Sequence, residues 1–342
     1  MKTLYIIPGS FHSSDSQLLY KLKKRLGINL ITSEIHADYA LPIYCASTYN
    51  LIVSNSRLSP MSSIAHRNLT NKLNYKNLVN IFLPTIAPMS QSELLSSELG
   101  TGKIFIKRQF TYYKNRQDKL AYSYWNSAQE FINSIPSDFW YNQNNPNSIL
   151  GPYIIQRFIP YPYQSLWVNI SINNQSEIYF WGAMTAENIG ADIFGTVHTY
   201  TESYIDAKET ISRLSMDNLL MAGLHTVEFA LIDNTWVFMD WNARLSYGMQ
   251  KNYTSSLTID TPILDAAISH MMSIPYFEDN TFYAEQRNYR NLTLTKEYAV
   301  MADSFGLQAR FDDSLQIISR IAGIAETKTA LDIKFNLFNN NI

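Results

Sequence analysis

From Leu4 to Ile7 four apolar residues run together ahead of Pro8-Gly9-Ser10, and Asp15 then precedes an amphipathic stretch from Gln17 to Leu26. This is the pattern of a buried strand, a turn and a capped helix, with which an α/β layer begins. Short apolar runs at Leu30 to Ile31, Leu41 to Cys45 and Leu51 to Val53, separated by polar turns, predict a small parallel sheet up to about residue 65. A helix-like stretch from Asn68 to Phe82 stops before Pro84, because the residue ahead of a proline is pushed out of the helical region.

A second helix is predicted over Gln91 to Leu99, before the break at Gly100-Thr101-Gly102. Lys103 to Lys107 then reads as a strand, and a polar, Tyr-rich segment runs on to Trp125. A helix over Ser127 to Ile135, an Asn- and Pro-rich loop over Asn142 to Ser148 and a strand over Tyr153 to Ile159 follow, the last stopped by Pro160 and Pro162. Leu166 to Ile172 and Glu177 to Trp181 read as a hairpin turned at Asn173-Asn174, and Ala207 to Leu220 as a helix. Thr226 to Ile232 and Trp236 to Trp241 read as a second hairpin, turned by Asp233-Asn234. Amphipathic stretches at Ile263 to Met272 and Leu315 to Ile321 predict two late helices, with a Tyr-rich segment between them.

The chain has 342 residues, 46% apolar and 13% aromatic, enough to bury cores in two or three domains and to exclude disorder as the main state. A net charge of −2 excludes a whole-chain polybasic nucleic-acid binder. Basic residues predominate over positions 1–125 and acidic ones over 126–250; a site for an anion and an ordinary solvated surface both fit that split. Cys45 is the single cysteine, so an intramolecular disulfide and CxxC metal sites are excluded, and a cytoplasmic, reducing setting is expected. Leu4 to Ile7 is too short for a signal-peptide core. The uncharged stretch Tyr39 to Ser56 is too polar to span a bilayer, so no membrane segment is expected.

The chemistry concentrates in HTVEFALIDNTWVFMDWNAR, residues 225–244. The two strands read there put Glu228 on one and Asp240 and Asn242 on the other, and a period of two places Phe238, Asp240 and Asn242 on a common face. Carboxylates with an amide oxygen are hard ligands suited to Mg²⁺, whose remaining positions phosphate and water fill. Arg244 faces the same way and has the geometry to hold a carboxylate or phosphate at two points. An ordinary hairpin with outward polar positions would leave the same pattern.

Glu228, then twelve residues to D-x-N-x-R at Asp240, Asn242 and Arg244, resembles the metal-binding end of the ATP-grasp superfamily, where an E-x-N-x-R form is usual. Asn71-Lys72-Leu73 resembles the segment whose lysine reaches nucleotide phosphate, and Lys107 at the end of Ile104-Phe105-Ile106-Lys107 resembles the second phosphate-binding lysine. Ile154-Ile155-Gln156-Arg157-Phe158-Ile159-Pro160 resembles the hinge strand, in which Gln156 would meet the adenine amino group and Phe158 would supply its main chain. Phe238 or Met239 would sandwich the purine, in competition with simple core packing. The chain departs from the pattern after Lys107: residues 108–125 hold no glycine where the family has a Gly-rich loop, and Arg108, Lys114, Arg116 and Lys119 stand among tyrosines instead. Thr226 stands where some relatives carry an arginine, which leaves Arg244 as the candidate for acyl-phosphate contact.

The resemblance implies an α/β fold of the α+β kind. A small N-terminal α/β domain (1–67) would precede an ATP-grasp lobe with the lysines (68–152) and a second lobe with the hinge and Mg²⁺-binding strands (153–250), the two lobes built on antiparallel sheets. Residues 251–342 would be a C-terminal extension that completes the grasp, covers the acceptor side or forms a homodimer contact. The implied activity is ATP-dependent joining of a carboxylate to an amine through an acyl phosphate, with two Mg²⁺ ions and small-molecule or peptide substrates. Bicarbonate in place of the carboxylate, as in carboxylases, and a non-catalytic nucleotide- or sugar-binding module are the alternatives.

Overall fold

The computed structural model describes residues 2–6, 23–24, 26–31, 39–41, 73, 83–109, 120, 123–145, 152–173, 175, 177–189, 192–199, 205–216, 223–242, 262–275, 283–289, 292–311 and 318–342. Among the described residues three sheets follow one another along the chain. The first joins β1 (Thr3–Ile6), β2 (Asn29–Ile31) and β3 (Tyr39–Leu41) in the order β2-β1-β3, all parallel, as the apolar runs predict. Leu4 is fully buried in it, and the Lys2 ammonium ties the sheet to a distant part of the chain by donating to the carbonyls of Met272 and Ser273. Of the expected helix Gln17 to Leu26 only the last part is described. Leu51 to Val53, and all of Asn68 to Phe82 except Leu73, lie outside the described residues.

The second sheet is antiparallel: β4 (Thr85–Ile86), β5 (Ile104–Arg108), β6 (Ser123–Trp125) and β7 (Tyr153–Arg157), in the order β4-β7-β5-β6. Helices α1 (Gln91–Ser96), α2 (Ala128–Ser134) and α3 (Phe139–Asn144) accompany it. The first two start on one device. Ser90 Oγ accepts the Glu93 N–H while the Glu93 carboxylate accepts the Met89 N–H, and Ser127, Glu130 and Asn126 repeat it. Helix α3 corrects the sequence reading of a loop from Asn142. The Gln143 amide both donates to and accepts from the Tyr153 backbone at 2.8 Å, and Phe139 is buried, so tertiary contacts hold a helix that its Asn-rich composition alone does not favour.

Ile104, Ile106, Tyr153 and Ile155 pack with Leu94, Phe131 and Phe139 of the helices. Strand alternation therefore leaves Phe105, Lys107, Ile154 and Gln156 on the opposite face, with Thr85 paired to Gln156.

The third sheet holds β8 (Tyr163–Ile172), β9 (Ile178–Ile189), β10 (Asp192–Thr199), β11 (Gly223–Ile232), β12 (Thr235–Asn242), β13 (Tyr283–Asn288), β14 (Leu307–Phe311) and β15 (Ile318–Ala325). Its order is β12-β11-β8-β9-β10-β13-β15-β14, with every neighbouring pair antiparallel. Helices α4 (Ile205–Met216), α5 (Pro262–Met271), α6 (Lys296–Ser304) and α7 (Lys328–Asn339) complete the described elements. Residues beyond 250 thus extend the same sheet, because β13 pairs with β10.

The helix expected over Leu315 to Ile321 is corrected: Ile318 onward is a strand. Ile318 and Ile321 stand at helical spacing, but the segment lies between β13 and β14 and bonds to both. At Gly323 a Cβ would stand 2.5 Å from Leu307 Cδ2 and 3.0 Å from Leu331 Cδ1, so the bare backbone is what lets α7 pack close. Among the described residues no helix is long and apolar enough to cross a membrane.

The second and third sheets meet at β12. Leu83 N–H donates to the Phe238 carbonyl (3.1 Å) at the edge of β12, and two residues later the chain joins the second sheet as β4.

Candidate functional site

Asp233 and Asn234 both take positive φ, 48° and 60°, the two-residue type I′ turn that matches the twist of a hairpin. The turn fixes Ile232 opposite Thr235, and the register carries through to Glu228 opposite Asp240 and Thr226 opposite Asn242. One irregularity intervenes. Between the pair Phe229–Phe238 and the pair Glu228–Asp240, β11 advances by one residue and β12 by two, so Met239 is an added bulge residue.

The bulge corrects the expectation that Phe238, Asp240 and Asn242 share a face. Phe238 shares the face of Phe229 and meets its ring edge-on at 5.9 Å, fully buried, whereas Asp240 shares the face of Glu228. Were Met239 instead paired in unbroken alternation, the Asp240 carboxylate would sit on the apolar side with Phe238.

Across the junction, Lys107 Nζ stands 3.8 Å from Asp240 Oδ2, the two residues only 8% and 7% exposed. Asp240 Oδ1 also accepts the Trp241 N–H at 2.9 Å. Beside this pair Gln156 is buried on the Lys107 face of the second sheet. Its Nε2 donates to Thr85 Oγ1 at 2.9 Å and reaches toward the carbonyl of the bulge residue Met239 at 3.5 Å. Its Oε1 is buried and, among the described residues, has no hydrogen-bond partner. Thr85, itself fully buried, donates to the Leu83 carbonyl at 2.7 Å.

Beyond Gln156 the Arg157 N–H donates to Pro84 O and the Phe158 N–H to Lys103 O, each at 3.0 Å. The Phe158 ring lies 5.5 Å from Tyr124 and 5.6 Å from Tyr161, with the Lys103 ammonium 5.9 Å from its centroid.

The face that carries Glu228 and Asp240 continues onto β8, where Trp167 is opposite Glu228 and Asn169 opposite Thr226. It is polar and buried: Thr226 donates to Asn169 Oδ1 at 3.1 Å, and Asn188 to Ser165 Oγ at 2.9 Å. Tyr163 lies on the same alternation. Burial, then Tyr161 and Glu228, raise its phenol well above the usual tyrosine range, so it stays protonated and able to donate.

The fold therefore brings Lys107, Gln156, Glu228 and Asp240 to one junction and puts Phe238 on the far face of the hairpin. The Asn242 backbone lies opposite Thr226. Lys72 and Arg244 lie outside the described residues. Sequence reasoning missed Thr85 and Tyr163: the first sits in the unpatterned run Pro84-Thr85-Ile86-Ala87-Pro88, the second is one of 23 tyrosines. Among the described residues no three His, Cys, Asp or Glu side chains cluster. The donor set is a pair of adjacent carboxylates, which fits Mg²⁺, an ion commonly held by one or two protein carboxylates with substrate phosphates and water.

No protein-family model matches the chain, and neither does any curated protein. Solved structures do. The chain is similar to N5-carboxyaminoimidazole synthetase from Staphylococcus aureus complexed with ADP, at TM-score 0.65 and 13% identity over 100% of this chain and 98% of that one. N5-carboxyaminoimidazole ribonucleotide synthetase from Thermus thermophilus gives TM-score 0.66 at 10% identity, covering 99% and 98%. L-amino acid ligase from Bacillus licheniformis gives 0.64 at 10% identity, covering 99% and 97%. These likenesses span the chains end to end and show that this chain shares the fold of those proteins.

Proposed function

We propose that the protein is an ATP-dependent carboxylate–amine ligase. The observation that carries this reading is the buried Lys107–Asp240 ion pair spanning two sheets, with Glu228 beside Asp240 in register. An ammonium and two carboxylates gathered in a water-poor junction suit a metal–triphosphate complex, and the structures of like fold include ones described with ADP or ATP.

In this reading Glu228 and Asp240, with Asn242, hold Mg²⁺, which when bound neutralises phosphate charge. Lys107 and Lys72 hold phosphate oxygens, and the hinge strand receives the adenine at Gln156, the Phe158 N–H being taken by the Lys103 carbonyl. The substrate carboxylate oxygen attacks the γ-phosphorus and ADP leaves. The amine nitrogen then attacks the acyl carbon, phosphate leaves, and the amine proton passes to solvent. Lys107 and Arg244 steady the charge that develops on the transferring group. The acids and amines are small molecules or peptides, and the single cysteine suits work in the cytoplasm.

The test is ADP release from Mg²⁺-ATP across a panel of amino acids and short peptides. Release that requires both an acid and an amine is expected, and Lys107→Ala or Asp240→Asn should abolish it while circular dichroism shows folded protein. Absence of nucleotide binding in calorimetry would remove the assignment. A second reading, bicarbonate as the acid, rests on the carboxyaminoimidazole synthetases among the structures of like fold. Bicarbonate-dependent ADP release with no other acid would select it.

A further inference from the structure

We infer that Thr85 is a positioning residue that sets which purine the site accepts, by fixing the orientation of the Gln156 amide. The inference rests on the reading of Gln156 as the residue that meets the base. A glutamine side chain offers a donor on one side and an acceptor on the other, and turning it by half a rotation exchanges them. Two acceptors decide the matter here. The Thr85 hydroxyl proton is committed to the Leu83 carbonyl at 2.7 Å, so at 2.9 Å it offers Gln156 a lone pair. The Met239 carbonyl, brought within 3.5 Å by the bulge, offers another. Both call for Nε2, and the amide oxygen is left as a buried atom with no partner among the described residues. Turned the other way, Oε1 would face a carbonyl oxygen and a hydroxyl oxygen, both electron-rich.

The surrounding backbone adds to this polarity. The N–H groups of Arg157 and Phe158 both donate within the protein, to Pro84 O and Lys103 O, and offer nothing to a ligand. An orphaned acceptor in such a place selects a donor. A 6-aminopurine presents an N–H₂ group there, whereas a 6-oxopurine presents a carbonyl oxygen and meets Oε1 with repulsion. Leaving such an acceptor unmade costs roughly tenfold or more in affinity, so discrimination of that order is expected.

Calorimetric titration of the full chain with ATP, inosine triphosphate and purine-riboside triphosphate, each with Mg²⁺, tests the idea. Wild type should bind ATP most tightly, the unsubstituted purine next and inosine triphosphate weakest, with ATP ahead of inosine triphosphate by roughly tenfold or more. Thr85→Val removes the hydroxyl at nearly constant shape and frees the amide to turn, so the ratio should fall to within about threefold, while Thr85→Ser should keep it. A Thr85→Val protein that loses affinity for both nucleotides equally, with the ratio intact, would show that Thr85 only supports the fold. Should Thr85→Val not fold, wild type decides: inosine triphosphate binding tighter than the unsubstituted purine would mean Nε2 faces the base, and the inference fails. Failure of wild type to bind any of the three would instead overturn the nucleotide reading itself.

Discussion

Lys107→Met would leave the Asp240 carboxylate, 7% exposed, without the ammonium that stands 3.8 Å away. At an effective dielectric of about 20 that separation corresponds to an attraction of about 4 kcal/mol. The folded protein has already met the cost of desolvating both groups, so removing one partner leaves the other buried and destabilises by about 3 kcal/mol or more. Asp240→Asn should do likewise by removing the charge opposite Lys107, although its amide oxygen keeps an acceptor for the Trp241 N–H. The double variant removes both charges. Chemical denaturation of the four proteins without nucleotide should therefore give a coupling of about 2–4 kcal/mol, with the double variant more stable than the sum of the single losses implies. Because the pair is buried, the coupling should persist at about 1 M salt, where surface pairs are screened. Losses that add within about 0.5 kcal/mol would refute the idea that this contact fastens the two sheets.

Three further outcomes are expected. Asn234→Val should destabilise by about 1–2 kcal/mol because a β-branched residue resists the φ of 60°, while Asn234→Gly should be neutral or slightly stabilising; thermal melts compare them. Gly323→Ala should cost about 1–3 kcal/mol, since the new methyl meets Leu307 Cδ2 at 2.5 Å, and a second substitution Leu307→Ala should recover part of it. The Tyr289 phenol, pushed up to about 12 chiefly by burial, donates to Asn339 Oδ1 at 2.6 Å. The unfolded chain ionises first, so stability is whole below pH about 10 and is lost between there and about 12; Tyr289→Phe should flatten that slope in denaturation measured against pH.

The elements that proved legible are those whose signal is local. Asp233-Asn234 between two apolar runs specifies a hairpin and, through its turn type, the register from Ile232 opposite Thr235 to Phe229 opposite Phe238. The strand Ile104–Arg108 and the helix starts at Ser90 and Ser127 lie in their own residues too. The order of Lys107, the strand Tyr153–Arg157 and the Glu228–Asp240 pair along the chain was enough to suggest the fold that the solved structures share.

Other features depend on partners distant in sequence. Ile318 to Ile321 fits a helix or a strand by its own spacing, and only the two strands flanking it decide for β15. The bulge at Met239 carries no mark in Trp236 to Trp241, because it arises where β12 meets β11 on one edge and Leu83 on the other. That single added residue moves Asp240 to the polar face and aims the Met239 carbonyl at Gln156. Thr85 has meaning only once β4 lies against β7, for a hydroxyl orients an amide only at contact distance, and the chain alone sets no such distance between residues 71 positions apart. Backbone propensity and alternation chose the strands; which face, which neighbour and which oxygen is left open were decided by the sheets coming together.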